Sequence, residues 1–157
     1  MILAALEEFT RHSFSASDVR YDYGIDISSL FLKVAARRYP QLTFSLGNVA
    51  NITTLPKLKF DGFFASAVLM HIPFPLWDTM FSNIEKITKP GAYGYVTLPI
   101  AHPSGVKNEK DLRHFTILSE AEQISYLKKR NWKIKSKGSV NGTTTANVWQ
   151  WYIVTLP

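Results

Sequence analysis

The stretch FDGFFASAVLMHIP, residues 60–73, decides how the rest of the chain is read. Between residues 60 and 68 only Asp61 and Ser66 interrupt an apolar run. A run of this length with so few polar positions reads as a strand buried on both faces, the habit of a parallel sheet covered by helices. Pro73 and Pro75 break the run, and a helical pattern follows from Leu76 to about Thr88. Lys89-Pro90-Gly91 ends that helix, and Tyr93 opens the next strand, which Pro99 closes.

Upstream the same alternation holds. Residues 19–25 are rich in β-branched and aromatic side chains and read as a strand. After a turn over 24–29, Ser28 or Ser29 caps a helix to about Arg38, with Leu30, Val34 and Arg37/Arg38 at helical spacing. Pro40 stops it, residues 42–46 form a short strand, and residues 47–59 form a loop. Downstream, a loop covers residues 100–113. Ser119 with Glu122 three residues on is a capping box for a helix to about Arg130. Residues 132–137 and 147–155 read as a strand pair around a Gly/Thr/Asn turn region. At the amino end, Ile2, Leu3, Leu6 and Phe9 share one stripe, so residues 1–12 read as a helix and 13–18 as a polar connection.

Strand–helix alternation followed by a hairpin predicts an α/β fold: a mostly parallel sheet with helices on both faces and an antiparallel C-terminal hairpin strand. The 157 residues amount to about one domain, read as 1–157 with a recognisable core over 19–157. A composition of 46% hydrophobic and 19% charged residues excludes general disorder. No apolar run approaches the roughly 20 residues of a membrane span, and MILAALEEF lacks a basic leader, so a cytoplasmic protein is expected. The chain has no cysteine, which excludes disulfides, thiolate nucleophiles and Cys-held metals. Its histidines show no metal-ligand spacing, so no metal is expected. The net charge of +6 permits an anionic partner without demanding one. The basic cluster Lys128, Lys129, Arg130, Lys133, Lys135 and Lys137 is accompanied by no interleaved aromatic stacking motif, so nucleic acid is not expected as a partner.

In an open parallel sheet, ligands bind at the carboxyl ends of the strands. The segments that follow strands here are YGIDIS (23–28), FDGFFASAVLMHIP (60–73) and ITKPGAYGYVTLP (87–99), with RHFTILSEAEQISYLKKRNWKI (113–134) after them. In that order and at those spacings they resemble a class I S-adenosylmethionine-dependent methyltransferase with a Rossmann-like sheet. The resemblance implies S-adenosylmethionine as cofactor and methyl transfer to a small-molecule acceptor. It runs from about Tyr21 to the C-terminus. The family's first strand and glycine-rich loop have no counterpart before Gly24, the first glycine. The chain is therefore expected to begin just past that loop, with self-association through the exposed sheet edges. The alternative is a methyltransferase remnant that no longer binds cofactor and serves as an interaction module.

The resemblance also implies roles for residues. Asp26 would accept hydrogen bonds from the ribose hydroxyls; otherwise it is a turn or cap aspartate. Ile27 would pack on the adenine ring, or is simple core. Asn48 stands where the family often has Asp for the adenine amino group, and a turn asparagine beside Gly47 is the competing reading. The Val49 backbone N–H would reach an adenine ring nitrogen. Ala65 and Ser66 would lie beside the cofactor's methionine end, or are small packing residues. Phe74 and Trp77, with the loop over 100–113, would line the acceptor pocket, or pack a helix start. His71 is the candidate catalytic base, against a histidine that bonds the loop backbone; His102 and His114 are weaker candidates.

Overall fold

A computed structural model of the chain describes residues 2–3, 23–100, 115–141 and 148–157. The strands are β1 (Ile2–Leu3), β2 (Tyr23–Asp26), β3 (Thr43–Leu46), β4 (Phe60–Ala65), β5 (Thr88–Pro99), β6 (Lys133–Asn141) and β7 (Val148–Thr155). The helices are α1 (Ser29–Arg38), α2 (Trp77–Ile87) and α3 (Glu120–Lys129). The strands form one sheet in the order β3-β2-β1-β4-β5-β7-β6. Every pairing is parallel until β7, which runs antiparallel to both β5 and β6. The expected alternation and the C-terminal hairpin are both present.

The expected N-terminal helix is corrected at its start. Ile2 and Leu3 are strand, paired parallel with Gly24 and Ile25 on one side, and Ile2 with Phe64 on the other. They occupy the central position that was expected to have no strand. The slot between β2 and β4 offers backbone donors and acceptors on both sides. An apolar pair that satisfies them gains more there than from a helical stripe. The remainder of that stripe and the connection over 13–18 lie outside the described residues.

The core is concentrated on the β4–β5–β7 side. Phe63, Val96, Leu98, Tyr152 and Val154 are buried in the sheet, against Trp77, Met80, Phe81 and Ile84 of α2 and Leu127 of α3. Trp132 lies edge-on to Phe63 and Phe81, with ring centroids at 5.5 and 4.8 Å. The capping box is present: the Ser119 hydroxyl accepts from the Glu122 backbone N–H, and the Glu122 carboxylate accepts from the Ser119 N–H at 2.8 Å. The expected helix stop at Lys89-Pro90-Gly91 is corrected: α2 ends at Ile87 with the extended Thr88 as its C-cap, and these three residues lie inside β5, Gly91 at φ +75°, which only glycine adopts without strain. Pairing begins at Thr88, opposite Phe60, so β5 starts earlier than the pattern suggested. Likewise β6 runs on to Asn141, while Trp132 precedes it as a core residue.

Candidate active site

Chain order fixes where a ligand can enter. From β1 the chain steps outward through β2 to β3, then returns to β4 on the other side of β1. The direction of winding reverses between β1 and β4, and the crevice at the carboxyl ends there is the binding position of such sheets.

On the outward side, Asp26 closes β2. Its Oδ1 accepts the Ser28 backbone N–H at 2.6 Å, and the Ser28 hydroxyl in turn accepts from Phe31 N–H at the start of α1. Among the described residues Oδ2 has no partner. Ile27 follows at once and is 75% exposed, an apolar side chain set beside a carboxylate at the sheet's end. Asn48 lies on the neighbouring strand's exit, at the same end of the sheet, because β2 and β3 are parallel with Asp26 opposite Leu46. The Gly47 N–H donates to the Asp26 carbonyl at 3.0 Å, tying the two exits together. A Cβ on Gly47 would come within 2.8 Å of both Ile25 Cγ2 and the Thr54 carbonyl oxygen, so the close approach requires glycine.

Asn48 Oδ1 accepts the Ala50 N–H at 2.9 Å, an Asx turn, and its backbone N–H donates to Thr54 Oγ1 at 2.8 Å. Val49 is buried, and its carbonyl accepts from Asn83 Nδ2 of α2 at 3.0 Å. Asn83 thus anchors the loop from 34 positions further along the chain. Nothing in the local sequence marks it, apart from an amide on the apolar face of a helix.

On the inward side, Ala65 ends β4 and Ser66 follows it, both buried. Thr97 Oγ1 of β5 lies 3.3 Å from Ser66 Oγ and accepts the Ala67 N–H at 2.8 Å. Ala67 has φ +54°. The chain then makes a 3₁₀ turn, Leu69–His71. The His71 ring meets the Phe115 ring edge-on at 4.8 Å. Thr116 N–H donates to the Met70 carbonyl at 2.7 Å, and both Thr116 Oγ1 and Trp77 Nε1 donate to the Ile72 carbonyl at 2.9 Å. Trp77 is 1% exposed and packs beneath Phe74, which is 47% exposed, with centroids 5.5 Å apart. Phe74 therefore presents a ring to solvent and Trp77 supports it. The loop residues 101–114, with His102 and His114, lie outside the described residues.

Charged groups hold the helices behind this face. Arg130 Nη2 and Nε bond the two Glu85 carboxylate oxygens at 2.7 and 3.2 Å, and Trp132 Nε1 donates to Glu85 Oε1. The Tyr126 hydroxyl donates to Asp78 at 2.7 Å. That bond holds the Asp78 carboxyl below its usual range, while burial first, and then Asp78, push the Tyr126 hydroxyl up. A separate cleft of about 400 Å³, lined by residues including Leu55, Leu58, Lys57, Lys59 and Lys86, sits where β4 begins and α2 ends, at the opposite end of the sheet. No helix among the described residues is long and apolar enough to cross a membrane.

The family profile described as a methyltransferase domain matches residues 8–96. No curated protein matches the chain by sequence. Among solved structures, a SAM-dependent methyltransferase from Methanosarcina mazei superposes with a TM-score of 0.68 at 16% identity, covering 85% of this chain and 81% of that one. The [4+2]-cyclase SpnF gives 0.69 at 16% identity, over 89% of this chain and 67% of that one. The 1,6-didemethyltoxoflavin-N1-methyltransferase from Burkholderia thailandensis, with its substrate and S-adenosylhomocysteine bound, gives 0.68 at 14% identity, over 85% and 60%. At such identities the likeness is one of fold, and the cyclase illustrates that this fold hosts more than one reaction.

Proposed function

Because the chain belongs to the methyltransferase-domain family, we propose that it transfers a methyl group from S-adenosylmethionine to a small-molecule acceptor. The observation that carries the reading is the position of Asp26: a strand-end carboxylate with one oxygen unused among the described residues, next to the exposed Ile27 and level with Asn48. This set fits the adenosine part of the cofactor. A carboxylate is acceptor-only and suits ribose hydroxyls. An exposed aliphatic side chain offers a face for a purine ring. The carboxamide oxygen of Asn48 keeps one lone pair for an amino group after its turn bond.

Bound S-adenosylmethionine supplies an already activated methyl group. What remains for the protein is to bind, align and exclude water. Asp26, Ile27, Asn48 and the Val49 N–H would hold the adenosine. Ala65 and Ser66, small and buried, allow close approach beside the methionine end. Phe74, backed by Trp77, offers an apolar wall for the acceptor, and the His71 imidazole is the group that would take a proton from it.

Isothermal titration with S-adenosylmethionine tests the reading. Saturable binding by the wild-type chain is expected, and Asp26→Ala should weaken it about tenfold or more, as loss of a charged hydrogen-bonding group does. An unchanged dissociation constant in Asp26→Ala would remove the site from this position. Absence of binding by the wild type would favour the non-catalytic interaction module.

A further inference from the structure

Two residues other than glycine adopt positive φ among the described residues, Ala67 at +54° and Asn131 at +60°. Asn131 directly follows the C-cap of α3, a place where a left-handed residue is common and asparagine tolerates it. Ala67 has no such setting. It stands where β4 leaves the sheet, with no side-chain polar group to favour the conformation, so something else must hold it.

Thr97 is the group in contact with it. Ala65 pairs with Val96, which places Thr97 one step on, opposite Ser66. Its side chain is buried within a strand whose neighbours Val96 and Leu98 are apolar. A buried hydroxyl needs partners, and among the described residues its partners are both in this turn: the Ala67 N–H at 2.8 Å and Ser66 Oγ at 3.3 Å. The far end of the same segment is clamped as well, since the Ile72 carbonyl receives Thr116 Oγ1 and Trp77 Nε1. His71 lies between the two clamps.

We propose that Thr97 is a positioning residue: its hydroxyl holds Ala67 in the left-handed conformation and so sets where Ser66 and the His71 turn stand above the crevice. The link from that position to cofactor binding rests on the function proposed above. The clamp itself does not.

The test uses the full chain. Amide exchange of Ala67 and the ring resonances of His71 are followed by NMR, without ligand, in Thr97→Val, Thr97→Ser, Ala67→Gly and the double variant Ala67→Gly/Thr97→Val. Thr97→Val should speed Ala67 exchange at least tenfold and shift the His71 resonances. Thr97→Ser should restore both. In the double variant the turn no longer carries strain, so the His71 resonances should return towards those of Ala67→Gly. If Thr97 only fills space, the valine leaves exchange and His71 unchanged, or the glycine fails to rescue; either result overturns the proposal. Should Thr97→Val not fold alone, the comparison is made in the Ala67→Gly background, and failure to fold there too also overturns it. Titration with S-adenosylhomocysteine adds a second readout. A loss of at least fivefold in affinity in Thr97→Val that returns in the double variant supports the positioning role, and unchanged affinity contradicts it. If no variant and no wild type binds, the methyltransferase reading fails while the NMR result still decides the clamp.

Discussion

On one side of β1, strands β4, β5 and β7 press Phe63, Val96, Leu98, Tyr152 and Val154 against α2 and α3, with Trp77, Phe81 and Trp132 filling the space between. On the other side α1 buries only Ala35, and leaves Leu30 66% and Phe31 65% exposed. The proposed site straddles this difference. Ala65, Ser66, Thr97 and the His71 turn belong to the dense half, whereas Asp26, Ile27 and Asn48 belong to the thin one. The methyl-transferring end would thus rest on rigid packing. The adenosine end depends on hydrogen bonds at the strand exits, such as Gly47 N–H to the Asp26 carbonyl and the Asx turn at Asn48. Regions with few buried apolar contacts open at lower free energy than a packed core.

The largest effect expected from this contrast is in core truncation. Phe81→Ala in the dense half should cost about 3–5 kcal/mol in urea unfolding, while Phe31→Ala on α1 should stay within about 0.5 kcal/mol. Similar costs at both positions would break the contrast. Next, Arg130→Ala strips Glu85 of its bidentate partner and frees the Ser82 hydroxyl, which bonds Nη2 at 2.9 Å. A loss of about 1–3 kcal/mol is expected in the same assay, since a half-buried carboxylate loses charged bonds. Ser119→Ala removes the N-cap of α3 and should cost about 1 kcal/mol.

The smallest effect is with acid. Asp78 is held below its ordinary value of 3.8 by the Tyr126 hydroxyl, and Glu122 below 4.5 by Ser119. A depressed carboxylate contributes stability that is fully present above the ordinary value and is lost as pH falls through the lowered one. Both groups are exposed, so the loss should be slight. A melting-temperature series from pH 5 to about pH 2 should be shallower in Asp78→Asn than in the wild type. Identical slopes would remove Asp78 from the account.

Legibility in the sequence followed the range of the interaction. The α3 capping box was readable because its partners are three residues apart. Parallel pairing of β2 with β3, and hence Asp26 level with Asn48, was readable because one helix crossover dictates it. The spacing of Leu30 and Val34 did mark a helix, yet not a buried face: both are exposed, and the small Ala35 is the residue turned inward. The strand at Ile2–Leu3 was missed because two residues carry no periodicity of their own, and the slot between β2 and β4 specifies them. Phe74 and Trp77 look alike as aromatics three residues apart, but Phe74 lies exposed in the 3₁₀ turn before α2, whereas Trp77 opens α2 and is buried in the core. Asn83 and Thr97 were invisible for the same reason as each other: their partners, Val49 and Ala67, lie 34 and 30 residues away.

The location of the site at the reversal point between β1 and β4 is most directly tested by mapping S-adenosylhomocysteine onto the backbone by chemical-shift perturbation. The shifts should cluster at Asp26 to Ser28, Gly47 to Val49, Ala65 to Ala67 and Thr97. Shifts gathered instead around Leu55 to Lys59 and Lys86, at the opposite end of the sheet, or no shifts at millimolar ligand, would contradict the account.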